Sequence, residues 1–165
     1  MFELTWAKNG TPVTLGSAGD DMDITDLTAL KFNQFLLHTL STGAKNHRLT
    51  TDNNGATDYA WRRSANGGTD STSVSQAYVD INAGNNGAKD CLGIVYGVNI
   101  DGEEKLFMSF QCETTAGAAN APSRNENVSK VDVTTNTGQY TRIDINNTLA
   151  GDYLTSSNLS ALGTD

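Results

Sequence analysis

An all-β fold is predicted for the single domain of residues 1–165: a two-sheet antiparallel sandwich of jelly-roll type with about ten short strands. Three observations predict it. Thr, Asn and Ser make up roughly 30% of the chain, and Thr suits pleated surfaces while Asn and Ser suit turns. Apolar and polar residues alternate in short runs, with no sustained helical period. Clusters of Gly, Asn, Asp and Pro close these runs about every dozen residues. A chain of 165 residues also has the common size of one domain and buries enough surface to be stable without disulfides or metals.

The elements follow in order. Phe2, Leu4 and Trp6 alternate and run into Asn9-Gly10, a hairpin signal that Val13-Thr14-Leu15 answers. A turn at 16–19 leads to a strand at 22–24. Residues 26–40 are the one stretch with partial helical spacing, at Leu27, Leu30, Phe35 and Leu37. A turn at Asp26-Leu27-Thr28 followed by a long strand over 31–40 fits the surrounding β pattern better. Further strands are expected at 47–51, 59–65 and 75–81, with turns at 52–55 and 66–68 and a loose loop at 82–87. Strands at 92–100 and 105–113 form a hairpin, and 114–123 reads as an exposed loop. Strands at 128–133, 140–146 and 158–162 complete the set, and an early strand is expected beside the last one. No period repeats, which excludes propellers and solenoids.

Cys91 and Cys112 flank the hairpin. A two-residue Asp-Gly turn would set them directly opposite each other, in reach of a disulfide. Side-chain alternation argues for another register. Ile94, Tyr96, Val98 and Ile100 form one apolar row, and Leu106, Met108, Phe110 and Cys112 form another. The rows coincide only if paired residue numbers have an even sum, which a three-residue Asp101-Gly102-Glu103 loop provides. Cys91 then points to the opposite side of the sheet from Cys112. Two free thiols are expected, with Cys112 buried, in keeping with a reducing compartment.

Composition narrows the partners. Formal net charge is −8 with a pI near 4.6, and the basic residues are scattered apart from Arg62-Arg63. Such a field repels phosphate backbones, so no nucleic-acid partner is expected. No apolar run approaches the ~20 residues of a membrane span, and no membrane insertion is expected. The first residues lack the charged and apolar regions of a secretory signal peptide, so production in a cytoplasm is expected.

Chemical motifs are sparse, and neither an enzymatic activity nor a cofactor is expected. Gly16-Ser17-Ala18-Gly19 lacks the spacing of a nucleophile elbow, and Gly84 to Lys89 lacks that of a phosphate-binding loop. His38 and His47 stand in no triad or metal-ligand spacing. Asp21 and Asp23 would share one face of a strand and could hold a hard cation such as Ca²⁺ with loop carbonyls. The same acidic cluster also reads as an edge strand protected by charge. Tyr59, Trp61 and Arg63 alternate on one strand face, with Arg62 on the other. An aromatic ring beside a guanidinium suits a sugar, whose apolar face stacks while its hydroxyls take hydrogen bonds. The four residues are therefore a candidate glycan platform. The competing reading puts Tyr59 and Trp61 in the core and the arginines at its rim.

Four segments carry a likeness to known proteins. They are Tyr59-Ala60-Trp61-Arg62-Arg63-Ser64-Ala65-Asn66-Gly67-Gly68, Glu103-Glu104-Lys105-Leu106, Asn120-Ala121-Pro122-Ser123-Arg124-Asn125-Glu126-Asn127-Val128, and a C-terminal run. That run comprises Thr141-Arg142-Ile143-Asp144, Ala150-Gly151-Asp152-Tyr153 and Ser157-Asn158-Leu159-Ser160-Ala161-Leu162-Gly163. In this order they resemble small virion proteins and tail-appendage domains of tailed bacteriophages, marine ones especially. The first fifty residues match only in strand pattern. The resemblance implies a jelly-roll-like surface or appendage protein and brings no catalytic residues with it. The expectation is a non-catalytic virion structural protein, either a capsid-decoration protein or a tail-appendage component. It would sit in the virion as a homo-oligomer, such as a trimer, with other virion proteins as partners. The alternative is a module that recognises a host surface glycan. A glycan hydrolase ranks third and would need two carboxylates about 5–9.5 Å apart in a groove.

Overall fold

The computed structural model describes residues 5–82, 88–114, 118–132 and 137–165. It is all-β, with thirteen strands among the described residues and no helix. In chain order these are β1 (Ala7–Lys8), β2 (Val13–Thr14), β3 (Asp21–Ile24), β4 (Phe32–Thr39), β5 (Arg48–Thr51), β6 (Tyr59–Ala65), β7 (Ser71–Gln76), β8 (Val79–Asp80), β9 (Cys91–Val98), β10 (Lys105–Glu113), β11 (Ser123–Val131), β12 (Ile143–Asn146) and β13 (Asn158–Thr164). All pair antiparallel, in two sheets of unequal size. The larger has nine strands, ordered β1-β13-β4-β9-β10-β11-β6-β7 with β2 also on β13; the smaller is β3-β12-β5-β8.

One apolar cluster joins the two sheets. Met22, Ile24, Leu49, Ile143 and Ile145 from the small sheet pack with Phe35, Leu37, Val95, Leu159 and Ala161 from the large one. Tyr140 closes the cluster, its ring 5.8 Å from Phe107 and 6.4 Å from Phe35. The stretch 26–40 resolves as expected, since β4 alternates buried Phe35 and Leu37 with half-buried Gln34 and Leu36. The last strand takes β1 and β2 on one side and β4 on the other, which ties an early segment to the C-terminus.

Several elements depart from expectation. Asn9-Gly10 does not close a hairpin: Lys8 pairs with Leu162 and Val13 with Leu159, so β1 and β2 follow the same edge of β13 in turn. Asn9 is buried at the break between them, donating to Asn33 Oδ1 (2.8 Å) and Thr28 O and accepting from Thr28 N. Gly10 beside it has φ +76°. The expected strand at 75–81 is instead two, β7 and β8, in different sheets, with Ser75 at φ 52°. Strand β11 begins at Ser123, earlier than the apolar pattern suggested. The Phe2–Leu4 part of the expected first strand, Gly84 to Gly87, residues 115–117 and Val133 lie outside the described residues.

The hairpin of β9 and β10 has the expected register and the opposite orientation. Leu106 pairs with Val98 and Cys112 with Leu92, an even sum around a three-residue turn. Cys91 and Cys112 point to opposite sides and are free. Cys91, not Cys112, is the buried thiol at 1% exposure, and Cys112 is only half-buried. The cause is the inner row of β9. An added Cβ at Gly97 would lie 2.7 Å from the Tyr140 hydroxyl and 3.0 Å from the Phe107 ring. At Gly93 it would lie 3.2 Å from the Gln111 side chain. Only glycines leave room for these groups, so Cys91, Gly93, Val95 and Gly97 face inward and the larger row faces out.

Candidate functional site

The outward row of β9 and β10 forms the most distinctive surface of the molecule. Strand pairing lays its side chains out in three parallel rows: Phe32, Val98 and Leu106; Tyr96, Met108 and Val128; Leu36, Ile94 and Phe110. Trp6 adjoins the first row. Met108 is 57% exposed, Val128 52%, Leu106 50% and Phe110 46%. With Trp6, Phe32, Leu92 and Tyr96 this amounts to on the order of 800 Å² of apolar side chain, against ~300–600 Å² for the largest patch on an ordinary monomer.

Two shallow hollows shape this face. One, of about 430 Å³, is lined by Arg62, Tyr96, Met108, Phe110, Glu126 and Val128. The other, of about 390 Å³, is lined by Trp6, Phe32, Tyr96, Val98, Leu106 and Met108. Tyr96, Met108 and Val128 border both. Toward β11 and β6 each cation has an acid: Arg62 with Asp70 at 3.1 Å, Arg124 with Glu126 at 3.7 Å, and Lys130 with Glu104; at the opposite edge Lys8 of β1 adds an exposed cation on the same side as Tyr96. An apolar centre with a paired polar rim is the usual anatomy of a protein–protein interface.

The underside of the same strands is polar. Ser109, Gln111 and Glu113 of β10, with Asn125, Asn127 and Ser129 of β11, are buried beneath the exposed apolar rows. The hydroxyls of Ser109 and Ser129 and Oδ1 of Asn127 have no hydrogen-bond partner among the described residues. Burying polar groups inward and exposing apolar ones outward is costly for an isolated sheet. Alternation marks two faces, and the inner face of these strands is mixed, with Val95, Phe107 and Val131 in the core beside the buried polar residues.

The residues singled out in the sequence are placed as follows. Tyr59 is fully buried, its hydroxyl accepting from Thr51 N at 3.1 Å and donating to Asn54 O. Trp61 packs half-buried against the core, and the Arg63 guanidinium lies 4.6 Å over its ring. Arg63 also donates to Asp80 at 2.7 Å and to Asn82 O. Arg62 alone is exposed, at the rim of the apolar face. The structure thus brings Tyr59, Trp61 and Arg63 together in and beside the core and sets Arg62 apart, so the four do not share one open surface.

Asp21 and Asp23 share the solvent side of β3, as expected from alternation. Asp21 accepts from Asn146 at 2.6 Å, and Asp23 accepts from Arg142 at 3.1 Å. Arg142 also bonds Asp144, the direct cross-strand neighbour of Asp23. An arginine therefore already occupies the position from which a cation would neutralise this pair, and no three-ligand metal cluster occurs among the described residues. Burial and the Asp144 carboxylate raise Asp23 to about 6, against the opposing pull of Arg142.

Sequence reasoning passed over a second buried set. His47, completely enclosed, shares a 2.9 Å hydrogen bond with Thr39 and stacks on Tyr153. Burial and nearby Lys45 depress its imidazole to about 3. Lys45 is itself buried and donates to the Lys89 carbonyl. Burial, with Glu113 nearby, pushes the Cys91 thiol up to about 12, which makes it a poor nucleophile. Compared with protein-family models, curated proteins and solved structures, the chain matches none.

Proposed function

We propose that this protein is a non-catalytic structural component of a virion, a capsid-decoration or tail-appendage subunit, and that the outer face of its large sheet is the contact surface for assembly. One observation carries the reading: β9 and β10 turn Tyr96, Met108, Leu106 and Phe110 to solvent, while β10 buries the polar side chains of Ser109, Gln111 and Glu113 on its underside. A sheet face of this composition is matched to a second packed layer, and the small sheet lies on the other side. Covering it removes about 800 Å² of apolar area from water, roughly 20 kcal/mol of gross hydrophobic transfer, of which association consumes the greater part. Acting through a surface and not a cleft also suits a chain whose conspicuous titratable groups are buried or paired. The resemblance of the segments from residue 59 onward to phage virion proteins supplies the particle.

The test is incorporation. The chain is expected in purified phage particles by mass spectrometry. A Met108→Asp/Phe110→Asp variant that keeps the wild-type circular dichroism spectrum should fail to enter them. Normal incorporation of that variant would overturn the contact surface, and absence of the wild-type chain from particles would overturn the virion reading.

A further inference from the structure

We infer that the occupant of the outer face is a second copy of this chain, packed sheet on sheet about a two-fold axis that runs along the row Tyr96–Met108–Val128. The inference rests on the assembly reading and names its partner. Three features on this face point to self-association.

Area is the first. About 800 Å² per copy is what a stable interface of standard size buries on each side. Symmetry of composition is the second. Half a turn about the Tyr96–Met108–Val128 row lays the Val98–Leu106 row of one copy over the Ile94–Phe110 row of the other. Apolar rows then meet apolar rows throughout the centre, as an isologous contact requires. The strands of the two copies also run nearly along one another, the aligned arrangement that sheets adopt when stacked about 10 Å apart.

Charge is the third. The chain carries a net charge of −8, so two copies repel at long range, and a contact face with little net charge adds least to that repulsion. On this face Arg62, Arg124 and Lys130 are balanced by Asp70, Glu126 and Glu104, and Lys8, at the β1 end of the axis row, is the one further cation among the described strand residues. The same half-turn superposes unlike charges along β11. Lys130, one row above the axis, comes over the partner copy's Glu126, one row below it. Arg124, two rows below, comes over the level of Glu104, two rows above. Arg62 lies on the axis row and approaches its own copy, a repulsion that its Asp70 pair moderates. A basic partner would call for an acidic face here, and an acidic partner for an unpaired basic one.

The test combines solution mass with site-directed cross-linking on the full chain. Multi-angle light scattering should return twice 17.5 kDa for the wild-type protein. Met108→Asp should weaken the dimer by about a hundredfold with the fold unchanged; Leu106→Lys serves as a second variant if the first misfolds. In a Cys112→Ser background, Met108→Cys lies on the axis and should be joined copy to copy by a short bismaleimide. Leu106→Cys alone should not be joined, whereas a mixture of Leu106→Cys and Phe110→Cys chains should be. A monomer, a trimer, or a dimer that cross-links at Leu106 alone would overturn the two-fold inference. A monomer that still enters particles would do so while leaving the assembly reading intact, and a dimer absent from particles would do the reverse.

Discussion

Asn9 shows how much a single side chain can hold. It sits where the early edge strand breaks, and its amide links Thr28 and Asn33 while its backbone N–H reaches Ala161 O at 2.9 Å. Asn-Gly signals a turn through local backbone preference, and that local signal is present, since Gly10 does adopt a positive φ. Whether the turn reverses the chain depends on which partner the next strand finds, and both strands find β13. The cysteines carry a sharper expectation. Buried Cys91, with its thiol pushed up to about 12, should resist a thiol reagent in the native protein, while half-buried Cys112 reacts. One thiol should therefore titrate natively and two after denaturation, and Cys112→Ser should abolish the native one. Native reactivity retained in that variant would contradict the orientation of β9.

Two titrating residues oppose each other in acid. His47 is depressed to about 3, so the unfolded chain takes up a proton below its ordinary 6.5 while the folded one does not. Its contribution to stability is present above pH 6.5 and is lost as pH falls toward 3. Asp23 is raised to about 6 from 3.8, so the folded state binds its proton more tightly, and this residue favours folding more as pH falls through that window. Asp23→Asn should raise stability at pH 7 by on the order of 1 kcal/mol, allowing for solvent screening, and leave it nearly unchanged at pH 4. Urea unfolding at the two pH values reads this directly. Proton NMR of the His47 ring should show no titration between pH 7 and pH 5; a midpoint near 6.5 would mean the ring is not enclosed.

At the scale of the element, strand β9 decides the molecule's orientation. Its large apolar residues alternate with Cys91, Gly93, Val95 and Gly97, and hydropathy alone assigns the larger row to the core. The glycines were the missed signal. Two glycines four residues apart on one strand face mark a close approach of other groups, here Tyr140 and Phe107 over Gly97. Gly97→Ala should therefore cost about 2 kcal/mol by overpacking, measured by chemical denaturation. Combining it with Tyr140→Phe should recover part of the loss, because the nearest clash is with the Tyr140 hydroxyl. A neutral Gly97→Ala would mean that the inner row has space and that the exposed face is not dictated by it. The polar inner row of β10 was legible in the same way, since Ser109, Gln111 and Glu113 alternate strictly with Met108, Phe110 and Cys112.

On the scale of the whole molecule, the chain behaves as a sandwich whose larger sheet has two working faces. Its inner face meets the small sheet through Phe35, Leu37, Val95 and Leu159, and its outer face leaves Tyr96, Met108 and Val128 exposed. Most strand positions, the hairpin register around Gly102 and the sharing of a face by Asp21 and Asp23 follow from nearest-neighbour chemistry, whereas the split of 75–81 between two sheets and the pairing of β1 and β2 with β13 join distant residues. Turn residues end strands, and a period of two sorts side chains into two sets. What that chemistry does not contain is which set looks inward. That choice belongs to the packing of distant segments: Tyr140 settling over Gly97, β12 bringing Arg142 between Asp23 and Asp144, and Tyr59 reaching across to Thr51. Alternation was therefore readable in the residues themselves, while the side of the sheet that became core, and so the side left exposed, was settled only when the second sheet closed over it.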